Sequence, residues 1–278
     1  MIHFNKTVLS NGLTVIVHED YSTPLAAVNI MYKVGARDES PDKTGFAHLF
    51  EHLMFGGSIN IPEYDSPLQL AGGDNNAFTN NDITNYYLTL PANNLSTAFW
   101  LESDRMLSLA FSKKSLDVQK QVVIEEFKQR YLNQPYGDVW LLLRPLAYKV
   151  HPYQWATIGK DISHIENTTL EDVKNFFFRY YSPENAIMTI AGNVKADEVF
   201  EMAEEWFGEI KRPFHEKREY KEEPKQTERR ELTVERDIPF DSVYRAYHGC
   251  SRLDKEFYAV DLMTDILSRG KSSRLYNE

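Results

Sequence analysis

Two histidines and a glutamate stand at a spacing that lets them act together, as His48, Glu51 and His52 in the run His48-Leu49-Phe50-Glu51-His52. On a helix, residues i and i+4 lie one turn apart on the same side, so both imidazoles aim at one point. Two histidine nitrogens make half of a tetrahedral zinc site. Glu51 falls beside the same face, where a carboxylate takes a proton from water activated by the metal. Such a metal also polarises a carbonyl under attack and stabilises the oxyanion that forms. The plainer alternative is a pair of hydrogen-bonded histidines on a buried helix face. The triplet on a capped helix favours the metal.

A third ligand must come from a helix packed on the first. The chain has one cysteine, Cys250, so histidines and carboxylates are the available donors. Residues 115–132 have helical periodicity, with Leu116, Val123, Ile124, Phe127 and Tyr131 on the apolar side. Glu126 sits at the border of that side and Glu125 nearly opposite it, so Glu126 is the candidate. Gln119, two turns earlier on nearly the same face, is placed to orient a ligand by a hydrogen bond. An exposed helix glutamine is its equally plain reading.

The elements that must position these residues are a mixture of strands and helices without strict alternation. Thr7-Val8-Leu9 and Thr14-Val15-Ile16-Val17 flank an Asn11-Gly12 turn and read as a hairpin. Further strands are expected at residues 26–34, 76–79, 85–90, 186–191 and near 243–247. Helices are expected from Thr44, a candidate N-cap, to Gly56-Gly57, then over 95–109, 115–132, 138–148, 170–180 and 197–207, and from Phe257. This mixture, opened by a hairpin, predicts an α+β fold. Residues 211–231 are charged, proline-interrupted and poor in apolar side chains, which reads as a linker.

Composition narrows the function further. The formal charge is −10, which argues against nucleic acid, where clustered Lys and Arg are required. No stretch reaches the length of a membrane span. The start, Met1 to Lys6, lacks the basic and apolar regions of a secretory signal, so the cytoplasm is the expected location.

The residues resemble the insulinase/pitrilysin family of zinc peptidases, which includes the mitochondrial processing peptidase. The resemblance is carried by Gly45 to Gly57 around the His-x-x-Glu-His core, the reverse of the commoner zincin order. It continues in Asn76-Ala77-Phe78-Thr79, Thr84-Asn85-Tyr86-Tyr87, Val122-Val123-Ile124-Glu125-Glu126, Tyr181-Ser182-Pro183-Glu184-Asn185 and Gly192-Asn193-Val194. It implies Zn2+ held by His48, His52 and Glu126, with Glu51 as general base. It also implies that Asn76, Ala77 and Phe78 form an edge strand to which an extended peptide adds. Many members carry Glu where this chain has Gln119. Members pair the zinc domain with a similar metal-free domain that closes a chamber and supplies an Arg and a Tyr, expected here beyond Glu278.

The expected organisation is a zinc-binding peptidase domain over 1–212, a linker over 213–230 and the start of a homologous second domain over 231–278. The expected activity is endopeptidase hydrolysis of peptide or unfolded polypeptide, with a dimer or partner domain closing the chamber. A non-catalytic peptide-binding subunit is the principal rival; a zinc hydrolase of non-peptides is a third reading, disfavoured by the edge-strand segment. Cobalt or manganese fits the same ligands.

Overall fold

The computed structural model describes residues 2–212, 214 and 219–278. Among these residues, six strands form one mixed sheet in the order β1-β2-β6-β3-β5-β4. They are β1 (Asn5–Val8), β2 (Thr14–Glu19), β3 (Leu25–Tyr32), β4 (Asp74–Thr79), β5 (Thr84–Pro91) and β6 (Ala186–Gly192). β6 inserts between β2 and β3, parallel to β2 and antiparallel to β3. The other pairings are antiparallel. The fold is α+β.

Alternation along the strands puts one face into the core. Val15 and Val17 on β2, Val28 and Ile30 on β3, Leu88 and Leu90 on β5, and Met188 and Ile190 on β6 are all buried. Among the described residues, eight α-helices accompany this sheet: α1 (Phe46–Leu53), α2 (Asp65–Leu70), α3 (Leu95–Leu107), α4 (Lys113–Phe127), α5 (Val139–Ala147), α6 (Ile162–Glu166), α7 (Leu170–Tyr180) and α8 (Ala196–Phe207). The rings of α7 and the residue after it back the first helix: Phe50 lies 4.8 Å from Phe176 and 5.2 Å from Tyr181 between centroids.

Contacts divide the chain after Arg229. Residues 213 and 215–218 of the expected linker lie outside the described residues, but 219–229 belong to the first unit. Glu223 anchors that stretch. Its two oxygens accept from three successive backbone N–H groups, Lys149 and Val150 at 2.8 Å and His151 at 2.9 Å. Such a concave row of donors is an anion nest, here filled by the chain's own carboxylate.

The second unit, Arg230–Glu278, contains α9 (Phe257–Ser268) and α10 (Arg274–Asn277). The strand expected near 243–247 is absent. Val243, Tyr244 and Tyr247 are suitable strand residues, yet all three are exposed and no described strand lies beside them. A strand exists only through its ladder, and a favourable pattern without a partner stays irregular. Among the described residues, no helix is long and apolar enough to cross a membrane.

Candidate metal centre

The centre begins with the eight residues of α1. Phe46, Ala47, Leu49, Phe50 and Leu53 are buried, which turns His48, Glu51 and His52 to the helix's other side. The helix starts at Gly45 rather than Thr44. Gly45 has φ +89°, and a Cβ there would meet the Ile158 carbonyl oxygen at 2.6 Å, so only glycine fits. Thr44 instead lends its N–H and hydroxyl to the Nδ1 of His164, at 3.1 and 2.9 Å.

α1 packs against α4, where Ser112 caps the start and Leu116, Val123, Ile124 and Phe127 form the buried side. The helix expected to run to residue 132 changes to a π turn over Lys128–Leu132. Glu126 stands just before that change. Its Oε2 lies 3.5 Å from Nε2 of His48 and 3.5 Å from Nε2 of His52. One ligand atom from each of the three residues falls within 4.8 Å of the other two. The structure therefore brings together three donors from two helices, as a shared cation requires. Glu125 points elsewhere and pairs with Lys128 at 2.7 Å.

The second oxygen of Glu126 is not idle. Arg130, one turn later, sits 2.9 Å from Oε1. Nothing in the sequence singles this residue out, because an i,i+4 acid–base pair usually marks a solvated helix face. Gln119, expected to orient a ligand, is half-buried, and its side chain makes no hydrogen bond among the described residues. The buried Nδ1 of His48 has no partner there either.

Glu51 is half-buried between the helix and the end of β4. Burial raises its pKa, while the Thr79 hydroxyl and then His52 pull it down. The His52 imidazole, 3.5 Å from its carboxylate, holds Glu126 below the usual carboxylate range against burial, with His48 and Arg130 helping. His48 is pushed down to about 4, chiefly by desolvation, although Glu126 pulls the other way.

That last shift has a measurable consequence. The unfolded chain takes a proton on His48 below about 6.5, whereas the folded, metal-free protein refuses it until about 4. Stability is then complete above pH 6.5 and falls as pH drops through this window, by on the order of 3 kcal/mol for this group. Urea midpoints of the metal-free protein between pH 7.5 and 4 should show the loss. His48→Gln should flatten it, and an unchanged slope in that variant would refute the assignment.

β4 lies at the sheet's free edge and against α1. Asn80 N–H bonds to the Ile83 carbonyl at the turn, and alternate pairs of an antiparallel ladder exchange bonds. By that alternation Asn75, Ala77 and Thr79 direct their backbone groups outward. The Ala77 N–H is met by the Oδ1 of neighbouring Asn76 at 2.8 Å, an easily displaced partner. Asn76 and Phe78 are exposed and Ala77 half-buried.

Comparison with known proteins places a boundary elsewhere, between residues 149 and 167 and within the first unit. Residues 14–149, which hold α1, β4 and α4, match the family described as insulinase (peptidase family M16). Residues 167–278 match the peptidase M16 inactive domain. A crystal structure of a protease from Helicobacter pylori superposes with a TM-score of 0.87 at 32% identity, covering 100% of this chain and 68% of that one. The chain belongs to peptidase family M16. Zinc protease PqqE of Helicobacter pylori is 36% identical over 280 residues, 98% of this chain and 63% of that protein. A probable mitochondrial-processing peptidase subunit beta of Arabidopsis thaliana is 25% identical over 265 residues, 94% of this chain and 50% of that protein. Pitrilysin shares the fold, with a TM-score of 0.65 over 75% of this chain and 23% of its own. This M16 chain thus spans about two thirds or less of the length of these relatives.

Proposed function

We propose that this chain carries the zinc centre of an M16 endopeptidase that cleaves peptides held in extended form along β4. The observation that carries this reading is the convergence of both Nε2 atoms on one oxygen of Glu126, each at 3.5 Å. The donor set fits zinc. Bonds of about 2.0–2.1 Å arranged tetrahedrally put neighbouring ligand atoms roughly 3.3 Å apart. Two neutral imidazoles and one carboxylate leave one position open for substrate or water. That relatives from Helicobacter pylori and Bacillus subtilis are named zinc proteases supports the same ion.

Zinc supplies, when bound, a Lewis acid that polarises the scissile carbonyl and acidifies water. The chain's own residues do the rest. Glu51 takes the proton of the attacking water on its carboxylate and returns it to the leaving amine nitrogen. Burial favours this exchange by raising the pKa towards that of a working base. The outward N–H and C=O groups of Ala77 and Thr79 hold the peptide by main-chain bonds, which makes recognition tolerant of side chains. Ala77→Pro removes one outward donor without touching the β5 ladder. It should raise KM about tenfold with metal content unchanged, and an unaltered KM would remove β4 from the substrate's path.

A non-catalytic, peptide-binding half of a two-part peptidase is the second reading, favoured by the inactive-domain match over residues 167–278. Hydrolysis of a quenched fluorescent peptide by metal-loaded protein decides between them. Cleavage abolished by a chelator and restored by zinc supports the enzyme. Peptide binding with no cleavage by the zinc-loaded chain supports the partner subunit.

A further inference from the structure

The α1 helix starts with a difficulty. A helix leaves its first N–H groups without internal partners, and Gly45, at the cap position, has no side chain to receive them. The missing acceptor comes from six residues upstream. Glu39 is only 7% exposed, and each of its oxygens takes one backbone donor: Oε2 from Gly45 at 2.9 Å and Oε1 from Ala47 at 2.8 Å. The second of these residues immediately precedes His48.

We propose that Glu39 is a positioning residue of the metal centre, its bridging carboxylate fixing the start of α1 and thereby the direction in which His48 presents its ring. The inference rests on the zinc centre proposed above. It explains why a carboxylate is buried where no Lys, Arg or His among the described residues forms an ion pair with it. An unpaired buried carboxylate is costly, and burial pushes Glu39 up to about 8 against the pull of its two N–H donors. A cap on a solvated helix end would avoid that cost.

The platform under Glu39 is itself tied down. The preceding 3₁₀ turn, Ala36–Asp38, is closed by a hydrogen bond from Gly35 N–H to Asp38 at 2.8 Å. The Trp155 indole donates to the Ala36 carbonyl at 2.8 Å, and Arg37 pairs with Asp82 at 2.8 Å. From the other side His164 and Lys160 hold Thr44, the residue before the cap. The start of α1 is therefore clamped between two anchored segments. A ligand helix of only two turns transmits any tilt at its start to His48.

Cobalt titration of the full chain tests this, because the visible bands of bound Co2+ report ligand geometry. The wild-type chain should bind one ion, and His52→Ala none at the same concentration; failure there would refute the metal centre itself. Given binding, Glu39→Gln, which keeps the volume but only one accepting oxygen, should lower cobalt affinity about tenfold and shift the bands. Metal-free thermal unfolding should move by only a few degrees. Glu39→Ala should lose more, and formate, a carboxylate small enough for the space left, should restore affinity. Wild-type affinity and spectrum in Glu39→Gln would overturn the proposal, as would a loss in Glu39→Ala that formate leaves unchanged. Where Glu39→Ala does not fold, Glu39→Gln alone decides.

Discussion

Replacing Glu51 with Gln is expected to lower turnover by about 10³-fold while leaving zinc bound. General acid–base groups contribute roughly 10²–10⁴-fold, and one carboxylate here handles both proton transfers. The amide has the same shape and cannot take a proton from water. Metal content should persist because Glu51 lies outside the His48, His52 and Glu126 cluster. Stability should persist as well, since burial disfavours the ionised form and the neutral amide relieves that penalty. The check has two readouts on one sample, zinc content and peptide hydrolysis. Retained turnover would contradict the role of Glu51, and lost zinc would make it a ligand instead.

Why these side chains are visible in the sequence, and others not, follows from the range of the interactions. His48, Glu51 and His52 lie within little more than a single turn of helix, so periodicity alone places them on one side. Glu126 is separable from Glu125 because the buried positions of α4, Leu116, Val123, Ile124 and Phe127, define its apolar side within fifteen residues. Strand and helix types follow from the same local periods. The insertion of β6 between β2 and β3 is a pairing across some 170 residues and leaves no local trace. Glu39 reads as one more loop acid, and its role appears only once Gly45 and Ala47 fold back onto it. The π turn at Lys128–Leu132 likewise has no signature distinct from a continuing helix. Glu223 lies in a charged, proline-broken stretch whose composition says linker. Three N–H groups of residues 149–151 hold it on the surface.

Glu126→Gln should reduce zinc affinity by roughly 10²-fold or more, beyond the 10–100-fold usual for residues that merely orient a ligand. Glu126 is the one anion among the three donors, and its Oε2 is the atom on which both imidazoles converge. An amide oxygen there offers a weaker, uncharged donor and leaves the dication facing two neutral rings. Arg130 loses its partner in the same variant but is 67% exposed, so it turns to water at little cost. The adjacent Glu125 supplies the control. Its carboxylate is 56% exposed and bound to Lys128, so Glu125→Gln removes the same charge one residue away without touching the centre. Competition against a zinc chelator separates the two variants, with Glu125→Gln matching the wild-type chain. Equal losses in both would mean that net charge near α4, and not coordination by Glu126, governs the metal; wild-type affinity in Glu126→Gln would require a different third ligand.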